Sequence, residues 1–436
     1  MTRRFASLVS TLVLASVGVL GACGDDSENE PDPQGAGGSG VAGSGAGGTA
    51  VAGSGGFVTP ADPGPGGFLV TVSGEDLGLT GYGFTSGSSR SDDPAFVDGW
   101  ALRFDHIVLT VANPRLNEGP QQNPGDPTQV GAEVARAAGQ WAVDVARPGS
   151  EIDKGSGAPG AHAIVAWAAK ADGSAFDSKT QYAFSYDLAP ASESAQRVDL
   201  DGDAAALYQQ AISRGWAVVF AGTATYKGPA PEAGTVFAKM PTTVNFTFGI
   251  TNHGSYVNCE NPDLASGGGD PPRGVQVLPN TGSRIQITFH TDHGFWDALN
   301  VEGTPLHFDP FAAHASTYGD PTQPGSVTLD DLASVDFTAF VTKSGEKLPA
   351  RSLVSDYTAP VGQLGYKGNG ATFPLNSFAQ YFAYSAMSGG HMNADGECEV
   401  IRQLEHPGHR SERREGPQPR ERGVVLGGDL ARRLAG

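Results

Sequence analysis

The chain has 436 residues, with 47 Asp and Glu against 28 Lys and Arg and a formal net charge of −19 at neutral pH. That surplus of acid excludes nucleic acid, and extended contact with anionic lipid head groups, as partners, because both are held by clustered basic side chains. With 62 Gly, 30 Pro and only 17% charged residues, the composition suits a loop-rich, β-rich exported domain better than a helical bundle.

Arg3 and Arg4 form a basic start, and Leu8 to Leu20 an apolar run too short to span a bilayer. The run closes in Leu20-Gly21-Ala22-Cys23. This segment resembles the lipobox of bacterial lipoproteins. The resemblance implies a signal peptide over 1–22, cleavage before Cys23, and acylation of Cys23 on its sulfur (palmitate-type chains) and on the new amine. Three acyl chains tether a protein to the membrane without spanning it. In that family Asp directly after the Cys retains the protein at the inner membrane. Gly24 stands there instead, so the expected address is the cell envelope, facing the periplasm, with the outer membrane favoured over the inner. No later stretch approaches the roughly 18 apolar residues of a crossing helix.

Residues 23–67 read as the lipidated Cys and a disordered linker, acidic at first and then rich in Gly, Ala and Ser, because such a composition buries too little surface to offset its entropy. Residues 68–401 read as the globular part, one β-rich domain or two packed subdomains. Phe68–Ser73 is a first strand, followed by loop from Gly74-Glu75 to Ser91. Trp100–Val111 is a long strand whose alternation changes parity at Asp105-His106, which predicts a bulge there, and Asn113-Pro114 is expected to end it. Short strands are predicted at Trp141–Val145, His162–Trp167 and Tyr182–Tyr186. Ala204–Ser213 is a helix with Asp203 as its N-cap and Gly215 as its stop. Trp216–Tyr226 and Thr243–Ile250 return as strands, and Ile285–Phe289 alternates as a strand with one buried face. Val327–Leu332 reads as a helical turn, Val335–Val341 as a strand and Asn376–Ala386 as a strand or short helix. The sum is a mainly β fold, an antiparallel β-sandwich or jelly-roll-like domain with a few short helices. Residues 402–436 carry eight Arg and read as a disordered tail or a non-native terminus with no assigned function.

With Cys23 assigned to lipid, Cys259 and Cys398 remain, and in an oxidising compartment an even pair is expected to form a disulfide. Arg284–Ser316 holds four of the ten histidines: His290, His293, His307 and His314, with Asp292, Asp297 and Asp309 among them. Imidazole and carboxylate suit zinc, copper or iron, so His290, His293, His307, Asp297 and Asp309 are the candidate ligands of a divalent metal. The spacing is not HExxH, and histidines that merely bond carbonyls over the Phe289/Phe295/Trp296/Phe308/Phe311 cluster are the structural alternative. His391, beside Asp395 and Glu397, is a second gathering of ligands, read here as a turn. No Gly-x-Ser-x-Gly elbow and no phosphate-binding GxxxxGK[ST] loop occurs, and no catalytic residue is nominated.

The Trp100–Val111 strand, Tyr256–Asp263 and His290–Asp297 resemble segments of glycine-leashed bacterial lipoproteins, which implies no activity. The expected function is therefore binding, of a metal ion, a small ligand or an envelope protein. A metal-dependent enzyme using the same residues, and an envelope scaffold without a small-molecule site, are the alternatives.

Overall fold

The computed structural model describes residues 57–85, 96–266, 270–299, 301, 304–336, 353 and 375–403. Cys23 with the lipobox-like Leu20–Ala22, the expected linker up to residue 56, the expected Val335–Val341 strand beyond Asp336, and the expected tail beyond Gln403 lie outside the described residues. The described chain is mainly β, with few and short helices. In order it runs β1 (Phe68–Ser73), α1 (Glu75–Thr80), β2 (Trp100–Glu118), β3 (Glu133–Arg136), β4 (Gln140–Asp144), β5 (Glu151–Ile152), β6 (Pro159–Trp167), β7 (Tyr182–Leu188), β8 (Gln196–Val198) and α2 (Gly202–Arg214). It continues with β9 (Val218–Tyr226), β10 (Thr243–Ile250), β11 (His253–Val257), β12 (Ser283–Phe289), α3 (Asp309–Ala312), β13 (Gly325–Thr328), α4 (Phe378–Ala386), β14 (Gly390–Met392), β15 (Gly396–Glu397) and β16 (Glu399–Gln403). Among the described residues no helix is long and apolar enough to cross a membrane.

The strands form two sheets. One has the order β15-β14-β12-β1-β6-β5; the other follows β13-β10-β9-β2-β7-β11-β16, with β3, β4 and β8 attached beside it. Both are mixed: β1 with β12, β10 with β13, and β4 with β8 run parallel, pairings that alternation along a single strand does not reveal. Val70, Val72, Ile285 and Ile287 of the first sheet share one core with Phe104, Leu109, Phe220 and Phe248 of the second. Phe220 on β9 and Phe289 on β12 meet with ring centres 5.9 Å apart.

β2 is the spine of the larger sheet, and its register against β9 shifts between Phe104 and His106, at the expected bulge. It does not end at Asn113-Pro114. There the register against β7 shifts again between Ala112 and Arg115, and Asn113 takes a φ of 48°, so the proline sits in a second bulge. A proline needs no ladder hydrogen bond at a bulge, and the strand continues to Glu118.

α2 begins two residues earlier than expected, with Asp201 rather than Asp203 at the N-cap position, and ends where Gly215 adopts the left-handed conformation at φ 69°. The Gly74–Ser91 loop contains α1, a six-residue helix. Gly325–Thr328 is a strand, and the helical turn follows it at Asp330–Leu332. Asn376–Ala386 resolves as the helix α4, capped by the Ser377 hydroxyl, which accepts from Gln380 N at 3.3 Å. β16 runs through Arg402 to Gln403, so these two residues belong to the sheet and not to the expected tail.

The alternation of β12 does not leave one face wet. Gln286 and Thr288 are both fully buried. Gln286 Nε2 donates to Asp153 Oδ2 at 3.2 Å and to Thr288 Oγ1 at 3.1 Å, and Gln286 N donates to Asn393 Oδ1 at 2.9 Å. A polar stripe is buried at low cost only when its groups are bonded in this way.

Cys259, just after β11, and Cys398, between β15 and β16, are joined as a disulfide, with an S–S distance of 1.98 Å. The closed loop spans 139 residues. Replacing both cysteines by serine is expected to lower unfolding stability by about 5 kcal/mol on the chain-entropy account, and reductant should bring the parent to the same value. A denaturation midpoint unchanged by reduction would show that the bridge does not stabilise the fold.

Candidate metal centre

Strand register builds the site. β1 and β12 run parallel with Ser73 opposite Thr288, and β14 lies antiparallel on the far side of β12 with His391 opposite Thr288. Ser73, Thr288 and His391 thus form one row across three neighbouring strands. Chain leaving the parallel strands emerges side by side: Glu75 comes two residues after the end of β1, and His290 one residue after the end of β12. His293 follows in a short 3-10 turn, His293–Phe295. His290 N donates to Gly389 O at 2.7 Å, which ties the start of this loop to the chain entering β14.

One ligand nitrogen from each of His290, His293 and His391 lies within 4.8 Å of the others. The His290 and His391 rings stack with centres 4.2 Å apart, and His293 meets them edge-on at 5.5 and 5.3 Å. His293 is itself buried and stacks on the Trp296 indole at 3.7 Å. Its tautomer follows from its neighbours. Ser388 Oγ donates to Ser385 O at 2.7 Å, so toward His293 Nδ1, 2.9 Å away, it can only accept. The proton of the neutral ring is therefore on Nδ1 and the lone pair on Nε2, the form a metal ligand requires. Asp292 Oδ2 accepts from Trp296 Nε1 at 3.0 Å and so orients the indole under His293.

Electrostatics keep two of these rings, His293 and His391, neutral. Burial, then the neighbouring His391 and His290, holds His293 well below the usual histidine range. Burial, with His290 beside it, pushes His391 down to about 3. Neither ring nitrogen of His391 makes a well-formed hydrogen bond. Two carboxylates approach from the side of His290: Glu75 Oε2 lies 3.5 Å from His290 Nε2, and Asp395 Oδ1 lies 3.8 Å from it. Burial pushes the Glu75 carboxyl up to about 7, with His290 opposing. A cluster in which burial keeps His293 and His391 neutral is a poor host for protons and a good one for a cation. Metal–nitrogen bonds of 2.0–2.1 Å would draw the nitrogens to about 3.4 Å apart in a tetrahedral set. A cavity of about 360 Å³ opens beside the cluster, lined in part by His293, Trp296, Ser388, His391, Glu397 and Arg402. A larger cleft of about 560 Å³, between the Pro120–Pro127 loop and Glu260–Arg273, holds no such cluster.

Of the residues nominated by sequence, His290 and His293 enter this cluster, whereas His307, Asp297 and Asp309 lie in a separate buried network. His307 sits between Asp98 and Asp297, with nitrogen–oxygen distances of 3.6 and 3.8 Å. Asp98 Oδ2 accepts from Phe308 N and Asp309 N at 2.8 Å each, and Asp309 Oδ1 accepts from Trp100 Nε1 at 2.8 Å. This network fastens the start of α3 to the start of β2. His314 is buried as well. His391 and Glu75 were not among the nominated ligands. His391 was visible only as part of a local cluster, and Glu75 only as loop.

No protein-family model, curated protein or solved structure matches the chain.

Burial alone would lower the pKa of His307, but the Asp297 and Asp98 carboxylates beside it outweigh burial and raise the pKa to about 9. A folded value above the ordinary 6.5 means that the stabilisation is complete below pH 6.5 and is lost as pH rises through 9. Urea unfolding should therefore show stability falling by about 3 kcal/mol across that window in the parent but not in His307→Gln. A flat parent profile would refute the ion-pair reading.

Proposed function

We propose that this protein is an exported lipoprotein of the bacterial cell envelope whose β-rich domain binds a divalent transition metal through His290, His293 and His391. The observation that carries the metal reading is the convergence of the three imidazoles, with ligand atoms within 4.8 Å of one another. The lowered pKa values of His293 and His391 support it, because only a deprotonated ring nitrogen can coordinate. The Cys259–Cys398 bridge is in keeping with an oxidising compartment. The lipobox at Leu20–Cys23 supports the anchor, and Gly24 favours the outer membrane. Zinc, copper and iron all accept such a nitrogen-rich set.

The cavity beside the cluster favours a second reading. A metal with a free position next to a 360 Å³ space can hold a small ligand or activate a bound water, so a metal-dependent enzyme is the alternative.

Elemental mass spectrometry of the untagged protein tests the first reading. Near-stoichiometric zinc, copper or iron is expected in the parent and in His307→Gln. It should be lost from His290→Ala/His293→Ala and from His391→Ala, both still folded. No metal in any of them after incubation with each ion would sink the proposal. The anchor is tested separately: Cys23→Ser should abolish incorporation of labelled palmitate and move the protein from the membrane to the soluble fraction. Unchanged labelling would refute it.

A further inference from the structure

Three further acidic side chains, Asp153, Asp292 and Asp395, stand near Glu75, and the four are not equivalent. Asp153 is committed, accepting from Ser156 N at 2.8 Å and from Gln286 Nε2 at 3.2 Å. Asp292 accepts from the Trp296 indole. Asp395 reaches to 3.8 Å of His290 Nε2, but its side chain is 78% exposed and amply solvated. Glu75 is closer to the same nitrogen, at 3.5 Å, and only 23% exposed. Its Oε1 is buried without a hydrogen-bond partner. A carboxylate oxygen removed from water and left unbonded is costly, and in a folded protein it calls for a partner.

The backbone is arranged to hold it there. Glu75 takes a φ of 57°, a left-handed conformation that a residue with a Cβ adopts only when its surroundings impose it. Its N–H donates to Ser73 Oγ at 2.8 Å, at the end of the strand that runs parallel to the one delivering His290. Gly155 lies against the carboxylate, and a Cβ there would collide with Oε1.

We propose that Glu75 is the fourth ligand of the metal, completing a set of three imidazoles and one carboxylate. The assignment rests on the reading of His290, His293 and His391 as ligands. It narrows the ion: a hard oxygen among three nitrogens favours divalent zinc or ferrous iron over cuprous copper. Glu75 approaches from the His290 side, whereas the cavity is lined by His293 and His391.

Zinc titration calorimetry on the metal-stripped mature chain tests this, with Glu75→Gln, Glu75→Ala, Asp395→Asn and His290→Ala/His391→Ala compared. The thermal transition of each metal-free variant serves as the control for folding. One zinc per parent chain is expected, weakened roughly 10–100-fold by either Glu75 substitution and unchanged in Asp395→Asn. The visible bands of the cobalt-loaded protein, which report the ligand field, should change in the Glu75 variants and not in Asp395→Asn. A merely structural Glu75 would shift the metal-free transition and leave those bands intact. Parent-like zinc affinity and cobalt bands in Glu75→Gln, which is isosteric and spares the fold, would overturn the assignment. An unloaded parent, or zinc binding that survives His290→Ala/His391→Ala, would instead overturn the histidine reading on which it rests.

Discussion

The parallel ladder between β1 and β12 is the constraint on which the rest of the site depends. Parallel pairing makes two chains leave a sheet at the same edge, and the match of Ser73 with Thr288 sets where they leave. Neighbouring strands lie about 4.8 Å apart, close to the distance that ring and carboxylate groups must span to share an ion. Since side chains alternate between faces, a slip of one residue would turn Thr288 to the opposite face and carry His290 away from both Glu75 and His391. The buried polar stripe on β12 opposes such a slip. Gln286 is bonded to Asp153 and Asn393, and displaced partners would be left unsatisfied in the interior.

Around this row the two sheets divide the work. The aromatic residues of β2, β9 and β10 fill the shared core with Phe289, Phe295 and Phe382, and His293, buried against Trp296, is kept unprotonated. The Asp98–His307–Asp297 network does the reverse with the same kind of residue, holding a histidine charged between two carboxylates. Imidazole is thus placed in two opposite environments within one short stretch of chain. The difference lies in the neighbours, which are other imidazoles in one case and carboxylates in the other.

Much of the fold was legible in the sequence because period-2 alternation and turn residues are local signals. The strands at Phe68–Ser73, Thr243–Ile250 and Ile285–Phe289, the bulge beside Asp105, the helix ending at Gly215 and the pairing of the two cysteines all read out in this way. Pro114 misled because a bulge tolerates a proline that a regular ladder would reject. The parallel pairings were not legible, because the partner of each such strand lies far along the chain. The site shared that fate. His290 and His293 are neighbours in sequence, but His391 and Glu75 reach them only through the β12 pairings. His307, close in sequence and rich in acidic company, was drawn instead to Asp98, a residue with no visible connection to it.

The disulfide has a consequence for how that distant histidine finds its place. Along the backbone roughly a hundred residues separate His290 from His391, whereas through the Cys259–Cys398 link the path shortens to roughly forty, a closure easier by about 1 kcal/mol. The covalent link thus raises the local concentration of one imidazole around the other two before any strand has paired. An oxidised chain searches a smaller volume for this geometry than a reduced one does.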